Sequence, residues 1–341
     1  MNMLGLDIGG ANLKAAHTDG ICKAIPFEFW KRRNEFPQVL QSLIDSLPAS
    51  AGIGVTMTAE IADCFTTKAE GVRDITKTLV DVAKITPLQF WTTSGEFVGP
   101  DIAVEYPKLV AAANWHALAT WVGRLVPEGN ALLIDIGSTT TDLIPLRNGQ
   151  PDTAGLTDVE RLVSRELVYT GVWRTPLFGL DERVPFGDAF CPIVPELFAT
   201  TLDLYLIGGQ IPEQENCYET ADGRSATKSA AYDRIARMLC CDRAELSDTD
   251  LNRIADYLHD RQLTRIANAL EQVLQRSVHN CSHIIISGSG TFLALELIER
   301  LPHIASAERM ELRDIFEPAT AEAACAVAVA NLAAEHFQQP S

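Results

Sequence analysis

The chain has 341 residues, enough for two domains, because single cores stop growing near about 250–300 residues. Hydrophobic residues make up 47% and charged residues 21%, the balance of an ordinary soluble globular protein, while the formal net charge is −17. So acidic a surface repels nucleic acid and anionic membranes, which excludes both as main partners, but a local cluster of cations or metal can still hold a small anionic substrate.

The opening MNMLGLDIGG lacks a basic segment followed by an apolar run, so no secretory signal is predicted and the expected location is the cytoplasm. Residues 3–8, 12–18 and 21–28 read as three short strands joined by glycine turns. FPQVLQSLIDSLP follows with apolar residues at helical spacing, and AGIGVTM reads as a buried strand. A second helix is predicted within TTKAEGVRDITKTLVDVAK, then the strand LQFWTT, then a long helical stretch over YPKLVAAANWHALATWVGRLV. ALLIDIGSTTTDLIPLRNG is a second strand–turn–strand unit, and residues 151–225 are irregular and rich in glycine and proline. Helical patterns occupy about 228–240 and 248–278, followed by a buried strand, a Ser-Gly-Ser-Gly turn and a helix in HIIISGSGTFLALELIERL. The alanine-rich helix near 320–336 is too short to span a bilayer and has the small residues of a tightly packed helix. The eight cysteines are scattered without metal-knuckle spacing and read as buried thiols of a reducing compartment. His279 and His283 in HNCSH stand where helix gives way to strand, with no second ligand cluster, so zinc is disfavoured.

Asp7-Ile8-Gly9 and Asp135-Ile136-Gly137 are one device used twice. A lone Asp-Gly turn closes a hairpin through its side chain, but such a turn does not predict its own recurrence at the head of a second half. Small residues expose backbone N–H groups that make an anion-binding concavity, and Mg²⁺ takes one or two carboxylates plus phosphate oxygens. Gly9, Gly10, Asn12, Gly137, Ser138, Thr139 and Thr140 are therefore phosphate-loop candidates, with Asp7 and Asp135 as the metal-directed carboxylates. Lys14 either neutralises a phosphate or points to solvent.

The two hairpins and the later strand–GSG–helix segment resemble the actin, Hsp70 and sugar-kinase superfamily. That resemblance implies a two-domain α/β (ribonuclease H-like) ATPase fold with a ligand cleft, and a nucleoside contact at Gly288, Ser289 and Gly290. The implied first domain is 1–105 plus 318–338, and the second is 106–317 with a substrate-loop insertion at 151–225. GVTMTAEIADCF, AAANWHALA, GLTDVERLVSRELVYTGVWRTPL, FATTLDLYLIGG and ETADGRSATKSAAYDRIARMLCCD narrow the likeness. Together they resemble the hydantoinase/oxoprolinase-like family tied to tetrahydromethanopterin-linked one-carbon metabolism. The resemblance implies a Mg²⁺-dependent transferase of methanofuran assembly. It would join an aminomethyl-furanmethanol diphosphate to the phenol of tyramine, γ-glutamyltyramine or tyrosine and release pyrophosphate. An ATP-dependent small-molecule kinase and a nucleotide-binding regulator are the rival readings, and a homodimer is compatible with each.

A phenol needs a base at neutral pH, and Glu60 or Asp142 is placed to accept that proton, although Glu60 also suits a helix cap. Thr157, Asp158, Glu160, Arg161, Glu166, Tyr169, Arg174 and Thr175 crowd one glycine-flanked segment, the density of a substrate loop. Arg161 and Glu160 also fit a solvated helix face, since DVERLVSREL has helical periodicity. Asp203, Tyr205, Asp222 and Arg224 are the remaining substrate-binding candidates, with Asp222-Gly223 equally readable as a turn.

Overall fold

The computed structural model describes residues 1–277 and 281–338. Its first half runs β1 (Met3–Ile8), β2 (Asn12–His17), β3 (Cys22–Pro26), α1 (Phe29–Arg32), α2 (Phe36–Asp45), β4 (Gly52–Met57), α3 (Lys68–Ala83), β5 (Leu88–Trp91), β6 (Phe97–Val98), α4 (Pro100–Glu105), α5 (Pro107–Val110) and α6 (Asn114–Val122). The strands form one sheet in the order β3-β2-β1-β4-β5-β6. Next come β7 (Asn130–Ile136), β8 (Thr141–Arg147), β9 (Gln150–Pro151), α7 (Asp158–Ser164), β10 (Leu167–Val168), β11 (Arg183–Phe186), β12 (Ala189–Pro192), α8 (Thr201–Gly208), α9 (Lys228–Arg237) and α10 (Asp248–Ser277). The chain closes with β13 (His283–Ser287), α11 (Thr291–Arg300), β14 (Glu308–Glu311), α12 (Leu312–Ile315), α13 (Pro318–Glu322) and α14 (Ala324–His336). The second sheet has the order β10-β8-β7-β13-β14, with β9 beside β8.

The two sheets repeat one plan. In the first, β1 pairs antiparallel with β2 and parallel with β4; in the second, β7 pairs antiparallel with β8 and parallel with β13. Strands β1 and β4 are buried along their whole length, as central strands covered on both faces must be. Helix α14 crosses the back of the first sheet, and its alanines let it approach closely. A Cβ on Gly5 would lie 2.0 Å from the Ala326 carbonyl oxygen, and one on Gly54 would lie 2.9 Å from both the Ala333 Cβ and the Val329 carbonyl oxygen. Ala328, Val329 and Leu332 of the same helix share a core with Ala117 and Leu118 of α6 and with Leu133, Ile144 and Ile285 of the second sheet. The two helices are thus the apolar layer between the sheets.

Three expectations are corrected. The stretch at 106–126 is not one long helix: α5 ends at Val110, Ala112 takes φ +50°, and α6 starts at Asn114. The break lets Ala111 bridge to Met57 at the end of β4. Residues 151–225 are not uniformly irregular. Leu177, Val184, Ile193 and Leu202 of that region join Ile235 and Leu258 in a separate buried core. The cysteines are free, but Cys240 is exposed and the other seven are only partly buried. No helix among the described residues is long and apolar enough to cross a membrane.

The Gly5 contact makes a direct forecast. Gly5→Ala should destabilise the fold by roughly 1–3 kcal/mol or more, since the obstruction is helix backbone that cannot rotate away. Chemical denaturation of the variant checks this, and unchanged stability would mean that α14 does not sit so close to β1.

Candidate active site

Asp7 and Asp135 occupy equivalent places, one residue before the carboxyl end of β1 and of β7. Each strand turns through a loop closed by the same bond: Gly9 N–H donates to the Asn12 carbonyl at 3.0 Å, and Gly137 N–H to the Thr140 carbonyl at 2.9 Å. Each aspartate also has a hydroxyl from its parallel neighbour. Thr56 lies opposite Asp7 and donates to its Oδ1 at 3.3 Å, while Ser287 lies opposite Asp135 and hydrogen-bonds its side chain.

The antiparallel partners differ, and that difference shapes the electrostatics. Asp7 is paired in register with Lys14, whereas Asp135 is paired with Asp142. Burial raises the Asp7 pKa, against Lys14 and the Thr56 hydroxyl. Burial and the neighbouring Asp142 charge push Asp135 up to about 7, opposed by Lys14. Lys14 therefore acts on both aspartates, and its Nζ also donates to the Glu322 carbonyl at 2.8 Å, so it is anchored and not simply solvated. These raised values mark carboxylates short of positive charge. Among the described residues no group of three or more His, Cys, Asp or Glu side chains forms a ready metal cage. Two carboxylates beside small-residue turns would suit a hydrated Mg²⁺, which keeps most of its waters.

The third motif packs on the second loop. Gly290 N–H donates to the Ile136 carbonyl at 2.8 Å, and a Cβ on Gly288, whose φ is +86°, would lie 2.2 Å from that carbonyl oxygen and 2.6 Å from Asp135 Oδ1. Ser289 is exposed between them. Only glycine fits at 288.

The two base candidates separate clearly. Asp142 is paired with Arg161 at 2.9 Å, and that guanidinium also lies 3.9 Å from the Trp115 ring centroid. Arg161 is 1% exposed, so it is no solvated helix face. Glu60 is equally buried, and no side chain hydrogen-bonds its carboxylate, which has only the backbone N–H groups of Glu60 and Ala112 against it. Burial, with some help from the Asp158 charge and against Lys68, pushes its pKa up to about 8. Asp158 and Lys68 are themselves paired at 2.9 Å, linking the starts of α7 and α3.

Other predicted residues serve the scaffold. Thr157 caps α7 through a reciprocal box with Glu160. Buried Glu166 accepts from the Ala154 and Gly155 N–H groups and from Arg276. The 155–176 segment is therefore part helix and part buried support, with Tyr169 and Arg174 exposed. Asp203, Asp222 and Arg224 meet one another through Arg234: Asp203–Arg234 at 2.7 Å, Asp222–Arg234 at 3.0 Å and Asp222–Arg224 at 2.7 Å. None of these contacts includes Asp7, Asp135 or Asp142. Tyr205 is buried and donates to Gln262. His283 contacts Ser282 and Glu308, and His279 lies outside the described residues.

Sequence reasoning missed Thr56, Ser287 and Gln262. The Gln262 amide donates to the Thr170 hydroxyl and to the Gly171 carbonyl, each at 2.9 Å. Gly171 in turn presses on the second loop, where its Cβ would lie 2.5 Å from the Gly137 carbonyl oxygen. The register of Ser and Thr with the two aspartates was the one available signal; nothing local marks Gln262.

Known proteins place this arrangement. The chain is 33% identical over 291 residues to the (4-{4-[2-(gamma-L-glutamylamino)ethyl]phenoxymethyl}furan-2-yl)methanamine synthase of Methanocaldococcus jannaschii, covering 84% of this chain and 86% of that one. A synthase of the same name from Methanococcus vannielii is 33% identical over 51% of this chain and 77% of its own. A nucleotide-free acetone carboxylase structure superposes with a TM-score of 0.55 at 10% identity, covering 97% of this chain and 70% of that one. The fold is the α/β actin-like ATPase fold. The hydantoinase/oxoprolinase family profile matches residues 52–336, and the chain belongs to that family.

Proposed function

We propose that this protein is a transferase of methanofuran or methylofuran biosynthesis. It would join an aminomethyl-furanmethanol diphosphate to the phenolic oxygen of tyramine, γ-glutamyltyramine or tyrosine. The observation that carries the reading is the match, along most of both chains, to a synthase whose name describes an aryl ether of that furan. The reading is supported by two small-residue loops, by one buried and one half-buried carboxylate suited to Mg²⁺, and by a third, buried carboxyl group that no side chain partners.

The chemistry follows from those groups. The C–O bond between the furfuryl carbon and the diphosphate breaks, and its electron pair leaves with pyrophosphate. The phenolic oxygen forms the new C–O bond and gives up its proton. Asp7 and Asp135 would hold Mg²⁺, which when bound would supply charge neutralisation for the leaving group. The loop N–H groups that do not close the turns, beyond those of Gly9 and Gly137, would hold the phosphate oxygens, with Lys14 beside them. Glu60 takes the phenolic proton. Its pKa of about 8 lies closer to a phenol's than an ordinary carboxylate's does, which favours the transfer. Asp142 is less suited, because Arg161 already holds it.

A second reading, an ATP-dependent kinase, draws support from the Gly288–Gly290 turn packed on the second loop. One incubation separates the two. Purified protein is mixed with the furan diphosphate, ATP, Mg²⁺ and phenols labelled with ¹⁸O at the hydroxyl. An ether that keeps the label, with unlabelled pyrophosphate, is the expected result; ADP and a phosphorylated acceptor would overturn the transferase reading.

Asp135→Asn should fold normally and lose roughly a hundredfold or more in turnover, as an amide cannot neutralise the metal. Near-normal turnover at saturating Mg²⁺ would remove Asp135 from the metal site.

Glu60→Gln tests the base through pH. Wild-type turnover should climb up to about pH 8 as Glu60 ionises, then level off. The variant should lose roughly a hundredfold at neutral pH and keep rising toward pH ~10, where phenolate forms unaided. Stability carries the opposite sign. The folded state holds the Glu60 proton from its ordinary 4.5 up to about 8, so burying this group costs stability increasingly across that window. Glu60→Gln should therefore melt higher than wild type at pH 9 and no higher at pH 4, as calorimetry would read.

A further inference from the structure

A contact between the two halves joins the flanks of the two loops. On one side the chain runs beside the first loop, where Phe27 N–H donates to the Ala11 carbonyl and Phe29 N–H to the Gly10 carbonyl, each at 2.9 Å. Trp30 follows at once. On the other side Trp173 and Arg174 both donate their backbone N–H groups to the Ser138 carbonyl at 3.0 Å. The Arg174 guanidinium then reaches back to the Trp30 ring, 4.6 Å from its centroid.

This arginine differs from those around it. Arg161, Arg224, Arg234 and Arg276 each hold a carboxylate. Among the described residues the Arg174 guanidinium has no hydrogen-bond or ion-pair partner, and the residue is exposed. A lone cation on an indole at an exposed position is bound weakly. A diphosphate offers charge-assisted, bidentate hydrogen bonds, which are much stronger. An anion seated in the neighbouring loop would therefore draw Arg174 off the ring. The vacated indole face carries negative quadrupole, and the ring also has a second cation near it, Lys31, 5.9 Å from its centroid and paired with Glu28.

We propose that Trp30 is the residue that recognises the flat ring of the diphosphate ester, and that Arg174 covers it until the diphosphate arrives. The inference rests on the transferase reading and deepens it by naming a specificity determinant. As the furfuryl C–O bond breaks, positive charge spreads into the furan ring, and an indole face is well suited to stabilise it. An aliphatic diphosphate would gain no such contact, so the site should prefer aromatic esters.

Inorganic pyrophosphate with Mg²⁺ is the first probe, followed by calorimetry and by tryptophan emission. Wild type should bind it with a change in emission; W30F should bind it equally well without that change, and R174A about tenfold more weakly. The second probe is the affinity of furfuryl diphosphate relative to isopentyl diphosphate. Wild type should prefer the furfuryl ester by about tenfold, W30A should lose the preference, and W30F should keep part of it. Retention of the full preference in W30A overturns the inference whatever the emission does, and leaves the transferase reading intact. Failure of wild type to bind pyrophosphate would remove the diphosphate site itself, and the inference with it.

Discussion

Burying a carboxylate without a matching cation costs several kcal/mol, and this protein does so at the ends of both central strands. Asp7 and Asp135 share the influence of Lys14, and each is given one hydroxyl by the strand beside it. That is too little compensation for stability alone. Under the proposed function, a ligand that brings positive charge would offset that cost at both positions. The glycine loops beyond each aspartate supply N–H groups for the negative charge that would accompany it.

The repeat is imperfect in an informative way. In the first hairpin the residue opposite the aspartate is Lys14; in the second it is Asp142. Left alone, Asp142 would stack a third negative charge in the site. Arg161 answers it from α7, clamped by the Trp115 ring and by the Glu166 carbonyl. The consequence reaches Glu60, because it removes the rival base. Of the two candidate proton acceptors only Glu60 has no side chain bonded to its carboxylate, and the helix break at Ala112 passes beside it.

Legibility in the sequence followed the range of the interactions. The hairpins were readable because Asp-Ile-Gly, alternation and turn glycines act within a few residues, and their recurrence pointed to the fold. The alanine run of α14 also announced close packing. What failed was non-local. Residues 106–126 have helical periodicity throughout, yet β4 imposes a bridge at Ala111 and splits them. Arg161 reads as a surface residue on α7 because its carboxylate and aromatic partners lie in other elements. Thr56 and Ser287 acquire meaning only from strand register, and Trp30 only from an arginine 144 positions away (174 minus 30).

The inserted region couples to the chemistry by the same non-local logic. Its buried ion network, Asp203–Arg234–Asp222, sits in a core of its own; burial pushes Asp203 up to about 6 despite the paired guanidinium. Breaking such a pair typically costs about 3–5 kcal/mol, so the network holds α8 firmly against α9. Helix α8 then passes that rigidity on. Thr201 donates its hydroxyl to the Gly171 carbonyl at 2.8 Å, the oxygen that Gln262 also binds from α10. Tyr205 orients Gln262 from the same helix. Two helices thus converge on one glycine, and that glycine is seated directly against Gly137, Ser138 and Thr139. A phosphate loop works only if its N–H groups are fixed before the anion arrives, since ordering them afterwards would consume binding energy. Both loops gain order from the β-strands on either side, and the second is also backed by Gly171. Asp203 and Tyr205, which looked like substrate ligands in the sequence, thus brace the backbone behind that loop.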